Sequence, residues 1–343
     1  MLRLSPLLLL LIVFAINPRD VFAQAPDEPD EVIRVETDVT NLPFTAMDKQ
    51  KRFVTTLREE DIRVFEDDVP QHLFTFQRET DRPLALALLI DVSESEERTL
   101  PAEKAAARSF IETVIQSRKD QAAVIPFTGS AFLEQPLTRD VLGIYRALER
   151  VEVAMPAYLG SGRAISGIVT GPGTKRAPRE GSTAIWDAIA LTASEVLTPS
   201  VQSQSRRRAI ILLTDGQDTS SVLEIDEAIE RALAAEAVIY AIGIGDSKYE
   251  GIDRDSLRRV AERTGGRAFF PKKEEDLRQV FRDIERELRT QYLIAYSSTN
   301  KKRDGAYRQM RIDVVNPELK KERVTLRHRP GYFAKAVSNP GGF

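Results

Sequence analysis

The chain has 343 residues, 42% of them hydrophobic and 29% charged, with a formal net charge of -3. That length admits two domains of ordinary size or one large domain with an elaboration, and the apolar fraction supports a packed core. The near balance of charge argues against the basic footprint of a nucleic-acid binder, and the absence of cysteine excludes disulfides, thiolate metal ligands and a lipid-bearing cysteine.

At the N-terminus Arg3 precedes an apolar run from Leu7 to Ile16, ended by Asn17-Pro18 and followed by Val21-Phe22-Ala23. The run is too short to span a bilayer and small residues sit where a signal peptidase cuts, so residues 1–23 are expected to be a signal peptide cleaved after Ala23. A cut after Ala25 also fits, although it leaves Pro26 at the new terminus; an uncleaved anchor is the alternative. No later stretch approaches the length of a membrane span, which predicts a soluble mature protein, periplasmic or extracellular.

Residues 24–30 are rich in Pro and acid and read as a flexible leader. Ile33, Val35, Thr37 and Val39 then alternate with polar residues, the period of a strand with one buried face. Ile62 to Glu66 and Gln71 to Gln77 flank the turn-forming Asp67-Asp68-Val69-Pro70, which predicts a hairpin. Between Pro83 and about Thr290 the pattern becomes apolar runs alternating with helices. Leu84 to Ile90, Ala122 to Phe127, Ala209 to Leu213 and Val238 to Ile244 read as fully buried parallel strands. Pro126 removes a ladder donor and marks an edge or bulge.

Helices are predicted after Pro101, over Ile225 to Glu236, and where Leu277, Val280, Phe281, Ile284 and Leu288 share one face. Strand signals return at Tyr292 to Tyr296, at Met310, Ile312 and Val314, and at Val324, Leu326 and His328. Neither terminal set of strands makes a stable domain alone. The predicted architecture is therefore a small β-sandwich split in sequence, residues 31–80 and 291–335, with a doubly wound, mostly parallel α/β domain at 83–290 inserted between its halves. Residues 336–343 read as a disordered tail.

The first buried strand ends in Asp91-Val92-Ser93-Glu94-Ser95, a second ends in Thr214-Asp215-Gly216, and Gly181-Ser182-Thr183 precedes a helix. Open parallel sheets bind ligands at these carboxyl ends. Taken singly, Ser95 and Thr183 fit helix caps and Asp215 an acidic turn. The order and spacing of all three segments resembles the von Willebrand factor type A domain, whose metal-ion-dependent adhesion site joins a D-x-S-x-S loop to a distant Thr and a distant Asp.

The resemblance implies a Rossmann-like fold and a divalent cation, magnesium or manganese, held by Asp91, Ser93, Ser95, Thr183 and Asp215. It also implies a sixth position open to a Glu or Asp carboxylate of a protein partner. Oxygen-only ligands suit such a cation, and three neutral ligands leave its charge incompletely quenched. Glu94, Glu96 and Glu97 depart from the small or apolar residues of many relatives; they either tune the field of the site or face water, and the second is expected. The loop Pro156 to Gly181, with five glycines from Gly160 to Gly173, is expected beside the ion as a contact, a lid or a mobile connection.

The flanks Leu57 to Asp67, Gln291 to Tyr296 and Arg329 to Phe333 are similar to a group of secreted bacterial proteins related to the same family. An enzyme is not expected. The chain has two histidines, His72 and His328, both assigned to sandwich strands, and no phosphate-binding G-x-x-x-x-G-K-[ST] loop. Two alternatives stay open: an envelope scaffold with a vestigial metal site, and a magnesium-dependent phosphohydrolase, in which Ser93 would stand where a second carboxylate is needed for proton transfer.

Overall fold

The computed structural model describes residues 39–78, 82–116, 118–153, 163–164, 182–198, 206–244 and 251–336. Four strands come first among the described residues: β1 (Thr40–Met47), β2 (Ile62–Glu66), β3 (Val69–Pro70) and β4 (Leu73–Arg78). The middle contains β5 (Leu84–Asp91), α1 (Leu100–Val114), β6 (Gln121–Phe127), β7 (Phe132–Leu133), β8 (Gln135–Thr138), α2 (Val141–Arg150) and β9 (Arg163–Ala164). It continues through α3 (Ile185–Leu191), β10 (Arg207–Thr214), α4 (Ile225–Ala234), β11 (Ala237–Gly243), α5 (Arg254–Arg263), β12 (Ala268–Phe269) and α6 (Glu274–Arg289). The chain closes with β13 (Tyr292–Tyr296), β14 (Tyr307–Val314), α7 (Pro317–Lys321), β15 (Thr325–His328) and β16 (Gly331–Phe333).

The central sheet has the order β12-β11-β10-β5-β6-β8, parallel except for the antiparallel edge strand β8. Every residue of β5 is buried because each face of the sheet is covered. Leu84, Leu86, Leu88 and Ile90 pack with α1, α2 and α6. The smaller Ala85 and Ala87, with Leu89, pack on the other face with α3, α4 and α5. Pro126 lies beyond the last β8 pairing, at Val124, so its missing donor breaks no ladder on that side.

Two four-stranded antiparallel sheets, β15-β1-β13-β4 and β16-β14-β2-β3, combine strands from both ends of the chain. Leu42, Phe44, Ile62, Val64, Tyr292, Ile294, Tyr296 and Met310 contribute to a core separate from the two around the parallel sheet. The fold class is thus a doubly wound α/β sheet inserted among flanking antiparallel strands. All described residues belong to one compact unit, Asp38–Phe343.

Several local expectations need revision. The strand expected over Ile33 to Val39 falls, except for Val39, outside the described residues, and Val39 is exposed just before β1. β1 contains Pro43, which lowers any strand expectation. It is tolerated because pairing with β15 starts only at Phe44, leaving Pro43 laddered to β13 alone. The hairpin also differs. β2 turns back into the two-residue β3 through Asp67 and Asp68, with φ of 49° and 62°, while β4 joins the other sheet beside β13.

His72 sits in the link between β3 and β4, not in a strand, while His328 ends β15. Ala336 bridges Asp304, so pairing extends one residue into the expected tail. The signal peptide, the leader, the remainder of that tail and nearly all of the Pro156 to Gly181 loop lie outside the described residues.

Candidate metal centre

A doubly wound sheet opens a crevice where its strand order reverses, since connections on either side leave on opposite faces. That point lies between β5 and β10: β6 follows on one side, and β10, β11 and β12 occupy the other. Ile90 and Leu213 are the last paired residues of the two strands, so Asp91 and Thr214 stand together at the carboxyl edge.

Asp91 is fully buried. Its Oδ2 accepts from Thr214 Oγ1 at 2.5 Å and its Oδ1 from the Ser93 N–H at 3.0 Å, which folds the following loop back over the carboxylate. Thr214 Oγ1 also accepts from the Gly216 N–H at 3.1 Å. Gly216 has a φ of +86°, and a Cβ there would lie 2.9 Å from Leu257 Cγ, so the turn that presents Asp215 requires glycine. Asp215 is buried, with Oδ1 accepting from the Gln217 N–H at 2.9 Å and its carbonyl accepting from the Asp253 N–H at 3.0 Å.

Thr183 reaches the same edge through backbone ties. Its N–H donates to Thr219 Oγ1 at 2.8 Å, and its carbonyl accepts from the Thr219 and Ser220 N–H groups at 2.9 and 3.0 Å. Ala184 N–H donates to the Thr128 carbonyl, just past β6, at 2.8 Å. Asp218 fixes the start of α3 by accepting from the Ile185 N–H at 2.7 Å, while Ser221 Oγ accepts from the Trp186 N–H at 3.0 Å. The segment after β10 therefore positions both Asp215 and the Thr183 turn.

Glu94 and Glu97 are exposed, as expected, but Glu96 is fully buried. The Glu94–Glu96 segment is a 3-10 turn in which the Glu96 N–H donates to the Ser93 carbonyl at 3.0 Å. Three residues per turn bring Glu96 back over the loop start. One carboxylate oxygen each from Asp91, Glu96 and Asp215 lie within 4.8 Å of one another. Glu96 Oε2 accepts from Thr99 Oγ1 at 2.5 Å, while its Oε1 and both oxygens of the buried Glu103 accept from no N–H group, the two carboxyls lying against each other beside Thr99.

Burial is the main cause pushing Asp91 up to about 6, against the hydrogen bonds from Thr214 and Ser93. Burial, followed by the charge of Glu103, raises Glu96, and burial likewise raises Glu103. Two like charges at this spacing repel by roughly 3 kcal/mol at the effective dielectric of a protein. Among the described residues no ion pair reaches Asp91, Glu96, Glu103 or Asp215. Protons or a cation must relieve the cluster. A buried carboxylate oxygen that no N–H group reaches and the all-oxygen donor set fit a hard divalent cation.

Asp91, Ser93, Thr183 and Asp215 are all buried at this edge. Ser95 lies on the 3-10 turn, and its side chain is outside the described residues. Sequence reasoning missed Glu96, Thr214, Asp218 and Thr219. Thr214 had a readable signal in its position beside Asp215 at a strand end, whereas Glu96 looks like any member of an acidic run.

Descriptions of the von Willebrand factor type A domain match residues 86–217 and 174–283. The chain belongs to the von Willebrand factor type A domain proteins. A von Willebrand factor type A protein from Catenulispora acidiphila is 14% identical with a TM-score of 0.47, covering 89% of this chain and 76% of that one. Proximal thread matrix protein 1 from the mussel byssus, in a structure with a zinc-occupied MIDAS motif, is 19% identical with a TM-score of 0.48. That match covers 65% of this chain and 50% of the mussel protein, so the chain spans about half the mussel protein's length. An aerotolerance-related membrane protein from Bacteroides fragilis is 16% identical with a TM-score of 0.43, covering 60% of this chain and 99% of that one. No curated protein matches. Among the described residues no helix is long and apolar enough to cross a membrane.

Proposed function

We propose that this is an exported, non-enzymatic recognition module in which magnesium or manganese, held by Asp91, Ser93, Ser95, Thr183 and Asp215, grips a Glu or Asp carboxylate of a protein partner. The observation that carries the reading is the convergence of buried carboxylates, without a protein cation among the described residues, at the switch point of a doubly wound sheet. A hard cation held partly by neutral hydroxyls keeps enough charge to take an anionic ligand. Export rests on the apolar leader from Leu7 to Ile16 and its small-residue cleavage site.

The recognition reading is favoured over hydrolysis because Ser93, two residues beyond Asp91, is a poor proton carrier. Both histidines belong to the antiparallel strands or the link between them. One observation favours the hydrolase: buried Glu96 supplies an acid near Asp91. Magnesium-dependent turnover of a phosphate monoester by the wild type and not by Asp91→Ala would establish it.

Calorimetry with magnesium and manganese on the protein and on Asp91→Ala tests the site. Saturable uptake by the wild type alone is expected, and equal uptake by both refutes the assignment. Retention of an envelope protein that a chelator releases is the expected sign of partner capture. Retention indifferent to chelator would contradict a cation-dependent grip.

A further inference from the structure

We propose that Glu96 is itself a ligand of the ion when no partner is bound, its Oε1 filling the coordination position that a partner's carboxylate takes. The inference rests on the cation site proposed above and adds a residue that the five-ligand pattern does not contain.

Three observations support it. Glu96 is fully buried although its neighbours Glu94 and Glu97 are exposed, so the chain carries this acid inward at a considerable desolvation cost. Its Oε2 is anchored by Thr99 Oγ1 at 2.5 Å, which fixes the carboxylate, and Oε1 accepts from no N–H or hydroxyl donor, its polar neighbour being the carboxyl of Glu103. An oxygen of Glu96 also lies within 4.8 Å of carboxylate oxygens of both Asp91 and Asp215. A proton held between Glu96 and Glu103 relieves that pair alone, and a water molecule has two protons to share, whereas a divalent cation satisfies Asp91, Glu96 and Asp215 at once.

The sixth ligand would also change how the site behaves. Three carboxylates more than neutralise a divalent ion, so the partner's acid must displace Glu96 rather than fill an open position. Each exchange then replaces one carboxylate by another, and partner affinity becomes the difference between two similar bonds. Ser95 lies on the same 3-10 turn, so the exchange would require the Glu96 side chain to swing away from the ion while the turn stays in place.

Manganese alone is a sufficient probe. Calorimetry on the wild type, Glu96→Gln and Glu96→Ala, with circular dichroism to confirm folding, is expected to show manganese binding weakened at least about tenfold, the lower end of what even outer-shell partners of a metal cost. Water-proton relaxation by bound manganese is expected to report one further coordinated water in Glu96→Ala. Unchanged affinity in both variants would overturn the proposal. So would weaker binding with unchanged relaxation, since Glu96 would then act by charge alone. Asp91→Ala separates this from the underlying reading: wild-type manganese binding by that variant would refute the cation site itself, whatever the Glu96 variants do.

Discussion

The two ends of β5 treat buried acid in opposite ways. Beside Leu84, at the amino end, Asp120 is fully buried and fully paired. Its Oδ1 accepts from the Leu84 N–H at 2.8 Å, and its Oδ2 accepts from the Gln116 N–H at 3.0 Å and from Arg289 Nη2 at 2.8 Å. Arginines line this edge because helices of a doubly wound sheet point their carbonyl ends here. Arg289 donates to the Val114 carbonyl of α1, Arg207 to Leu288 of α6, and Arg208 to Ala235 past α4 at 2.9 Å. At the other end Asp91, Glu96 and Asp215 converge with hydroxyl and N–H donors but no arginine or lysine paired with them among the described residues. One strand thus has a finished electrostatic arrangement at its base and an unfinished one at its tip, and the unfinished one is where the proposed cation would sit.

The largest expected effect comes from breaking the finished end. Asp120→Ala removes the carboxylate that pairs with Arg289 and leaves the Leu84 and Gln116 N–H groups without their acceptor. A loss of about 3–5 kcal/mol in urea unfolding is expected, because removing one partner of a buried pair strands the other. A loss below about 1 kcal/mol would mean that the base of the strand is no better satisfied than its tip.

The opposite change is expected at the tip. Asp91→Asn should stabilise the cation-free protein at pH 8, by up to about 3 kcal/mol, the equivalent of holding an acid at about 6 instead of its ordinary 3.8. The sign follows from linkage. A carboxyl whose pKa is raised on folding contributes stability that is complete below its unfolded value and lost as pH rises through the folded one. Asp91 therefore removes stability between about pH 4 and 6, and the raised pKa values of Glu96 and Glu103 extend the loss upward.

His328 acts in the other direction, since burial lowers its pKa and its neutral form favours the fold as pH rises. The difference between wild type and Asp91→Asn isolates the site. In chelator, that difference measured by thermal unfolding should widen from pH 5 to pH 8. A flat difference would show that Asp91 does not feel the cluster.

Manganese should reverse the wild-type trend, because the ion competes with protons for the same oxygens. At a concentration of a hundred times its dissociation constant it adds about 2.7 kcal/mol. The rise in Tm should be larger at pH 8 than at pH 5 and absent in Asp91→Ala. Equal rises at both pH values would place the binding elsewhere.

The contrast between strand ends also explains what the sequence could reveal. Buried strands such as Leu84 to Ile90 are legible because both faces are apolar, and α6 is legible because its apolar residues share one face. Asp91 and Asp215 were legible because each follows such a strand immediately. β1 was hidden by Pro43, which needs the one-sided pairing with β13 to be tolerated. The second arm of the hairpin was misplaced because Val69–Pro70 reads as part of the turn and Gln71 to Gln77 as the returning strand, whereas the tertiary fold pairs Val69–Pro70 with β2 and sends Leu73–Arg78 to the other sheet. Glu96 was misjudged for a related reason: an acidic run gives no sign of which member a 3-10 turn rotates inward.

The smallest effect tests whether the tip is positioned by its neighbours as well as charged by its ligands. Asp218 accepts from the Ile185 N–H at 2.7 Å and from Ser221 Oγ at 2.5 Å, so its carboxylate secures the first turn of α3 directly after Thr183. Burial raises its pKa, yet these donors hold it in place. Asp218→Ala should cost about 1 kcal/mol of stability, the usual worth of a helix cap. If the Thr183 turn delivers a ligand, manganese affinity should fall as well, whereas a cap of purely local importance would lower Tm and leave affinity unchanged. The Thr219 and Ser220 bonds to the Thr183 carbonyl remain in the variant. The fall in affinity should therefore be smaller than that of Asp91→Ala, and loss of binding as complete as in that variant would make Asp218 a ligand instead of a support.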